Sequence, residues 1–195
     1  TRTHQRLSVD LKSHRMAQQD LPPALRHHLQ PVIEALQQAL KTLEARMKVL
    51  VKEISPVLLD ESGIDTILAS IILSEVAGVQ RFASPDHFAV YCGAAPIDRC
   101  SGRHQRVQLN TGHNRRLNRA LHLIALTRLK HHPPTRALFE KKLAEGKTKR
   151  AALRVLKTVI ARSLYRVLLY NQNQVSKQMV RDLKQQLKQH LKEAA

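Results

Sequence analysis

Between Leu29 and Ile54 apolar residues recur in alternating steps of four and three: Leu29, Ile33, Leu36, Leu40, Leu43, Met47, Leu50 and Ile54. This spacing keeps one face of a helix apolar for about seven turns and excludes a strand over the stretch. Leu29, Leu36, Leu43 and Leu50 take one core position and Ile33, Leu40, Met47 and Ile54 the other, as in a two-stranded coiled coil. The same stripe suits an amphipathic helix packed inside its own domain. The flanks, Gln30, Gln37 and Glu44 on one side and Val32, Ala39 and Arg46 on the other, offer few ion pairs to decide between the two. Pro31 is expected in the first turn, where its missing N–H costs nothing, and Pro56 stops the helix.

The rest of the chain must close a core with little aromatic material. Apolar residues make up 43% of the 195, but aromatics only 3%, and Trp is absent. Such a core is aliphatic and favours packed helices over a sandwich or barrel. Helical spacing marks Ile67 to Val76, a short segment from Ser84 to Tyr91, the group Leu117, Ala120, Leu121, Ile124 and Ala125, and a long run from Leu153 to Leu168. Pro96, Ser101-Gly102 and the alternation of Val107 to Leu109 predict a loop or small β-hairpin near 94–110. The expected fold is all-α. A long coiled-coil helix over 25–54 leads into a helical domain over 55–170 containing a helix-hairpin-helix element and the small insertion, and a peripheral tail helix follows over 171–195. Residues 1–24 show no apolar period and read as the remnant of a linker; residue 1 is Thr rather than Met, which predicts a fragment or processed product.

Charge divides the chain sharply. Lys and Arg number 33 against 15 Asp and Glu. Residues 1–98 hold 10 basic and 11 acidic residues, residues 99–170 hold 18 and 2, and residues 171–195 hold 5 and 2. A solvated basic face would be spread evenly, whereas this block is the footprint of a polyanion, with DNA the first candidate. Cys92 and Cys100 make neither a disulfide framework nor a zinc site, which fits a reducing compartment. The longest apolar run, Ile67 to Leu73, falls far short of the roughly 20 residues that span a bilayer. No membrane partner and a cytoplasmic location are expected.

Arg99, Arg103 and Arg106 stud the insertion, and Arg115, Arg116 and Arg119 crowd the first turns of the next helix. Cations at a helix start are unfavourable by about 0.3–1 kcal/mol each. A phosphate seated on the helix N–H groups would remove the conflict, which places Asn110, Gly112 and Asn114 of the preceding turn in the same interface. Gly63, between Ser62 and Asp65, either lets backbone N–H groups face a phosphate or sits in an ordinary helix connection; Asp65 reads as an N-cap whose charge repels phosphate. Metal-assisted phosphoryl transfer needs clustered carboxylates, and the basic segment has Glu140 and Glu145 alone. Ser101 is either a generic turn residue or a nucleophile whose neighbouring arginines would stabilise charge developing on phosphate. Cys100 is its rival.

The succession Ser62-Gly63-Ile64-Asp65, Arg81-Phe82, Tyr91-Cys92-Gly93-Ala94-Ala95-Pro96, Ser101-Gly102, Asn110 to His122, His131 to Arg136 and Glu145-Gly146-Lys147 spans roughly residues 55–170. It resembles the C-terminal domain of the DEDD-type insertion-sequence transposases, the bridge-RNA-guided serine recombinases of the insertion-sequence one-hundred-ten, one-hundred-sixteen and nine-hundred-two family. The resemblance implies an acidic, Mg2+-binding N-terminal domain joined by a coiled coil, here Leu29 to Ile54, to a DNA-binding domain. Its serine ahead of a glycine, here Ser101, attacks DNA and forms a covalent phosphoserine link. DNA and guide RNA are the implied partners, with homo-oligomers through the coiled coil and a place at the bacterial nucleoid; no cofactor is expected on this chain itself. Where the family's turn reads Pro-Gly-Ile-Gly, Ser62 and Asp65 stand at its ends here. The alternative is a non-catalytic nucleic-acid-binding relic or regulator.

Overall fold

The apolar stripe forms one long helix, α2 (Pro23–Ile54). In the computed structural model, which describes residues 1–95, 97–101, 104–108 and 112–193, with the backbone alone over 97–101, 104–108 and most positions beyond Met179, this helix has a partner within its own chain. Arg2–Asp20 forms α1 and folds back antiparallel along α2. Gln18 donates to Arg26 O and to Gln30 at one end of the pair, while His4 Nε2 meets Glu44 Oε1 at 2.8 Å towards the other.

Within residues 1–24, read as a linker remnant, 2–20 are thus helical and packed on α2. The face of α1 turned to α2 is His4, Leu7, Ser8, Leu11, His14 and Gln18, a helical stripe in which only two members are apolar, so a hydrophobic period could not show it. The seam of α2 is covered unevenly. Ile33, Leu40 and Met47 are buried and Leu29, Leu36 and Leu43 half-buried, but Leu50 and Ile54 are each 54% exposed and Val51 takes the inward place. A straight helix drifts by about 20° per heptad against a seven-residue repeat, enough to carry the stripe off its partner after several turns. Leu50 and Ile54 then border an apolar groove of about 530 Å³ with Leu73, Leu168 and Val175. Pro31 lies well inside α2 rather than in its first turn. Residues 27 and 31 are both exposed, so the carbonyl that Pro31 cannot serve is open to water.

Pro56 ends α2 and opens α3 (Pro56–Asp60), and the chain turns through 61–65 into α4 (Thr66–Val76). Asp65 Oδ1 accepts from Leu68 N at 2.7 Å, the N-cap its position predicts. Helix α5 (Pro85–Tyr91), a two-stranded ribbon and α6 (Arg115–His131) follow, then α7 (Pro133–Ala144) and α8 (Lys149–Glu193). The fold is all-α, and the ribbon pairs β1 (Ile97–Ser101) with β2 (His104–Gln108) antiparallel, Ile97 opposite Gln108 and Ser101 opposite His104. No Gly or Pro follows Gly146, and α8 accordingly runs unbroken into the segment expected to be a separate tail helix.

Helix α4 is apolar on nearly all sides because it is the centre of the core. Its Leu68, Ala69, Ile71, Ile72 and Val76 meet Phe88 and Ala89 of α5, Leu117, Leu121 and Ile124 of α6, and Ile160, Leu164 and Leu168 of α8 in one cluster. Four of the six aromatics also gather there, Phe82 lying 5.1 Å from Phe88 and 5.0 Å from Tyr91, and Phe88 6.0 Å from Tyr165. At the far end buried Asn171 of α8 donates to Ile54 O at 2.7 Å and ties off α2. Urea unfolding measures the uneven seam: Leu40→Ala lowers stability by about 2–5 kcal/mol, and Leu50→Ala by under about 1 kcal/mol.

Candidate nucleic-acid interface

The arginine-rich ribbon leaves the helical body after α5 and returns before α6, and both crossings are tied down by hydrogen bonds. On the outgoing side Asn118 Nδ2 donates to Cys92 O at 3.0 Å and to Gly93 O at 2.8 Å, and Thr158 Oγ1 of α8 donates to Ala94 O at 2.7 Å. On the returning side Asn114 N donates to Tyr91 O at 2.9 Å, and Asn114 Nδ2 donates to Glu75 Oε2 at 2.7 Å. The two strands of chain touch where they pass. Gly93 has φ +66°, and a Cβ there would stand 2.3 Å from His113 Cγ, so only glycine fits.

Asn114 also caps α6, its Oδ1 accepting from Arg116 N and Leu117 N, each at 3.0 Å. These are N–H groups that a phosphate at the helix start would have used. For one of the three arginines the electrostatic conflict at that helix start is met from within: Arg116 Nη1 pairs with Glu75 Oε1, and its other nitrogen reaches Thr1 and Gln5. Arg116 and Asn114 are thus placed inward as part of the clamp. Arg115 and Arg119 are exposed, and so is Gly112.

Gly63 is turned towards α6 rather than outward. A Cβ at its φ of +78° would lie 3.3 Å from both Arg128 Cγ and Ile124 O. Buried Arg128 donates to Ser62 O at 2.7 Å and to Glu61 Oε2 at 2.8 Å, closing the turn onto the helix. The glycine serves that close approach, and Asp65 occupies the start of α4. In the ribbon Arg99 pairs in register with Arg106, and Ser101 with His104. The side chains of Arg99, Ser101 and Arg106 lie outside the described residues, as do Arg103 and Asn110 altogether. Among the described residues no group of three or more His, Cys, Asp or Glu is arranged to hold a metal, and no helix is long and apolar enough to cross a membrane.

Glu75, Tyr91, Asn118, Lys157 and Thr158 complete the site; the sequence named none of them as a site residue, although Tyr91 and Asn118 fall in the motifs that carry the resemblance. Glu75 is the only acidic residue between Asp65 and Asp86, and Asn118 follows Asn114 by one helical turn. Those are the faint signals each carried. Arg81 stacks over Phe82 and Tyr91, its guanidinium 4.5 and 4.6 Å from the ring centres.

Residues 56–140 match the family described as "Transposase IS116/IS110/IS902 family". Residues 56–140 are the segment in which the chain is similar to this transposase family. The match starts at the first residue of α3 and stops within α7, so the matched segment contains the ribbon and its clamp apart from the contributions of α8 and of the N-terminal Thr1 and Gln5. Over 124 residues, 62% of the chain, it is 31% identical to the "Insertion element IS110 uncharacterized 43.6 kDa protein" of Streptomyces coelicolor, of which the alignment covers 31%. Over 93 residues, 47% of the chain, it is 34% identical to the "Insertion element IS900 uncharacterized 42 kDa protein" of Mycobacterium paratuberculosis, of which 23% is covered. The chain thus spans under a third of these relatives.

Cys92, at the mount of the ribbon, is buried, and desolvation pushes its thiol from 9.0 to about 12 despite nearby Arg81 and Lys157. Since the thiolate is the nucleophile, iodoacetamide alkylation of Cys92 at pH 8 is expected to be about a thousandfold slower in the folded chain than after unfolding. Mass spectrometry of a Cys100→Ala variant reads it. The folded chain keeps this proton where the unfolded chain loses it, so the stability that the thiol contributes falls as pH rises from 9.0 to about 12.

Proposed function

We propose that this chain is the DNA-binding, serine-bearing part of an insertion-sequence transposase, acting in transposition together with an acidic domain outside it. The observation that carries this reading is the arrangement of charge on a mounted arm. Residues 99–170 hold 18 basic and 2 acidic residues, and the ribbon and the start of α6 that carry six of those arginines are fixed to the body at both crossings. The family match supports transposition as the setting. Arg99, Arg103, Arg106, Arg115 and Arg119 contact phosphates, with Asn110 and Gly112 beside them; Asn114, Arg116 and Gly63 hold the framework. Residues 55–170 act as the DNA-binding domain. Self-association uses the part of the α2 seam that α1 leaves open, Leu50 and Ile54.

Ser101 is the nucleophile of this reading. Its Oγ forms a bond to phosphorus, the bond from phosphorus to one deoxyribose oxygen breaks, that oxygen leaves with a proton, and a phosphoserine links chain to strand. The ribbon arginines oppose the charge that builds on the phosphate oxygens. The described residues hold no carboxylate cluster, and in this reading Mg2+ and guide RNA belong with the acidic domain.

Duplex DNA titrated at several salt concentrations tests the binding, with log affinity expected to fall by about 0.9 per phosphate neutralised as log salt rises. Arg115→Gln with Arg119→Gln weakens binding on all duplexes and flattens the slope, and a flat wild-type response refutes the reading. For the chemistry, the chain with the acidic domain, guide RNA and magnesium yields a covalent adduct on denaturing gels that Ser101→Ala abolishes. An adduct lost with Cys100→Ala instead moves the nucleophile. Binding with no adduct in any combination leaves the non-catalytic nucleic-acid-binding alternative.

A further inference from the structure

A half-buried ammonium group stands at the root of the ribbon with no carboxylate among the described residues to meet it. Lys157 Nζ donates to Asn118 Oδ1 at 2.6 Å. Among the described residues it has no acidic partner, whereas Arg116 has Glu75, Arg128 has Glu61 and Arg162 has Asp86. An ammonium carries three donors, and an amide oxygen satisfies one of them without neutralising the charge. Burial and the neighbouring Arg154 both press the Lys157 pKa down, so the charge is held at a cost that an anion would relieve.

The bond to Asn118 also brings two basic rows together. On α6, Arg115, Asn118, Arg119 and His122 fall at i, i+3, i+4 and i+7; on α8, Arg150, Arg154 and Lys157 fall at i, i+4 and i+7. Each set shares one helix face, and neither contains an acidic residue. Lys157 is where the two rows meet, and there the same Asn118 holds the carbonyls of Cys92 and Gly93.

We propose that Lys157, seated on Asn118 between α6 and α8, binds one backbone phosphate of duplex DNA, flanked by Arg119 and Arg154. The proposal rests on the DNA-binding reading above and adds a residue outside the family-matched segment. A phosphodiester oxygen fits the donors of the ammonium that have no partner among the described residues and supplies a negative charge that those residues do not. Because Asn118 joins the lysine to the outgoing strand of the loop, a phosphate held there has a fixed position relative to the root of the ribbon that carries Ser101.

Labelled duplex DNA titrated into the full chain at several salt concentrations tests this, with folding followed by thermal melting. Lys157→Gln keeps an N–H for Asn118 and removes the charge; its slope of log affinity against log salt is expected to flatten by about 0.9. Lys157→Arg keeps the slope. Asp98 is the one acidic residue among 96–111 and its side chain lies outside the described residues, so each lysine variant is repeated in an Asp98→Asn background. Persistence of the Lys157→Gln effect there is the expected result, and its disappearance overturns the proposal by making Asp98 the partner. An unchanged slope in Lys157→Gln, while Arg115→Gln with Arg119→Gln still flattens it, overturns the seat and leaves DNA binding standing. Equal loss with Lys157→Arg overturns it in favour of a packing role. A flattening on duplex RNA but not duplex DNA overturns the choice of ligand, and a wild-type chain without salt-dependent DNA binding overturns this proposal together with the reading it rests on.

Discussion

Glu75 is the carboxylate on which three segments converge. From the last turns of α4 it accepts Arg116 on one carboxylate oxygen and Asn114 on the other, while its backbone oxygen accepts the Tyr91 hydroxyl. Hydrogen bonds to a charged group contribute about 1.5–3 kcal/mol each, and a shielded carboxylate stripped of its donors is costly. The pairing therefore sets where α6 begins relative to α4 and α5. Once that point is set, the Asn114 cap, the contact of Gly93 with His113 and the reach of Asn118 to Cys92 and Gly93 follow from it.

This mount separates two kinds of arginine that sequence alone treats as one cluster. Arg116 and Arg128 face carboxylates and backbone carbonyls inside the helical body, each closing one connection onto α6. Arg115 and Arg119 face solvent. A buried or shielded guanidinium without its partner would be strongly destabilising, so the inward pair belongs to the architecture. In the proposed function, phosphate binding falls to the outward ones and to the ribbon. Ser101 pairs with His104 at the end of the ribbon, four positions from the Ile97–Gln108 pair at its base. At about 3.3 Å per residue this puts the serine backbone roughly 13 Å out along the strand. The body thus carries the serine on a short arm whose root is fixed by polar contacts.

The segment similar to the transposase family begins at α3, while two elements outside it bear on the site. Helix α8 supplies Lys157 and Thr158, and α1 brings Thr1 and Gln5 to Arg116. Packing of α8 against α5, α6 and α7 accounts for the long apolar run that follows Gly146, and the ion pair of Arg162 with Asp86 lies on the same α5–α8 contact.

Periodicity and punctuation were enough to read α2, α4, α6 and the core part of α8 from the chain, because each buries an apolar stripe at helical spacing and meets Pro or a capping side chain at an end. Composition likewise determined an all-α fold, and the count of charges located the basic segment. Three things were decided only in three dimensions. Helix α1 was invisible because the stripe it buries is largely His, Ser and Gln, whose burial depends on Glu44 and on polar groups of α2 rather than on an apolar period. The roles of Arg115 and Arg116 differ although they are adjacent, because a helix turns successive side chains by about 100° and only one of them meets Glu75. Lys157 and Asn118 come together across 39 positions of sequence, and a hydrogen bond between two helices leaves no period or spacing behind in either of them.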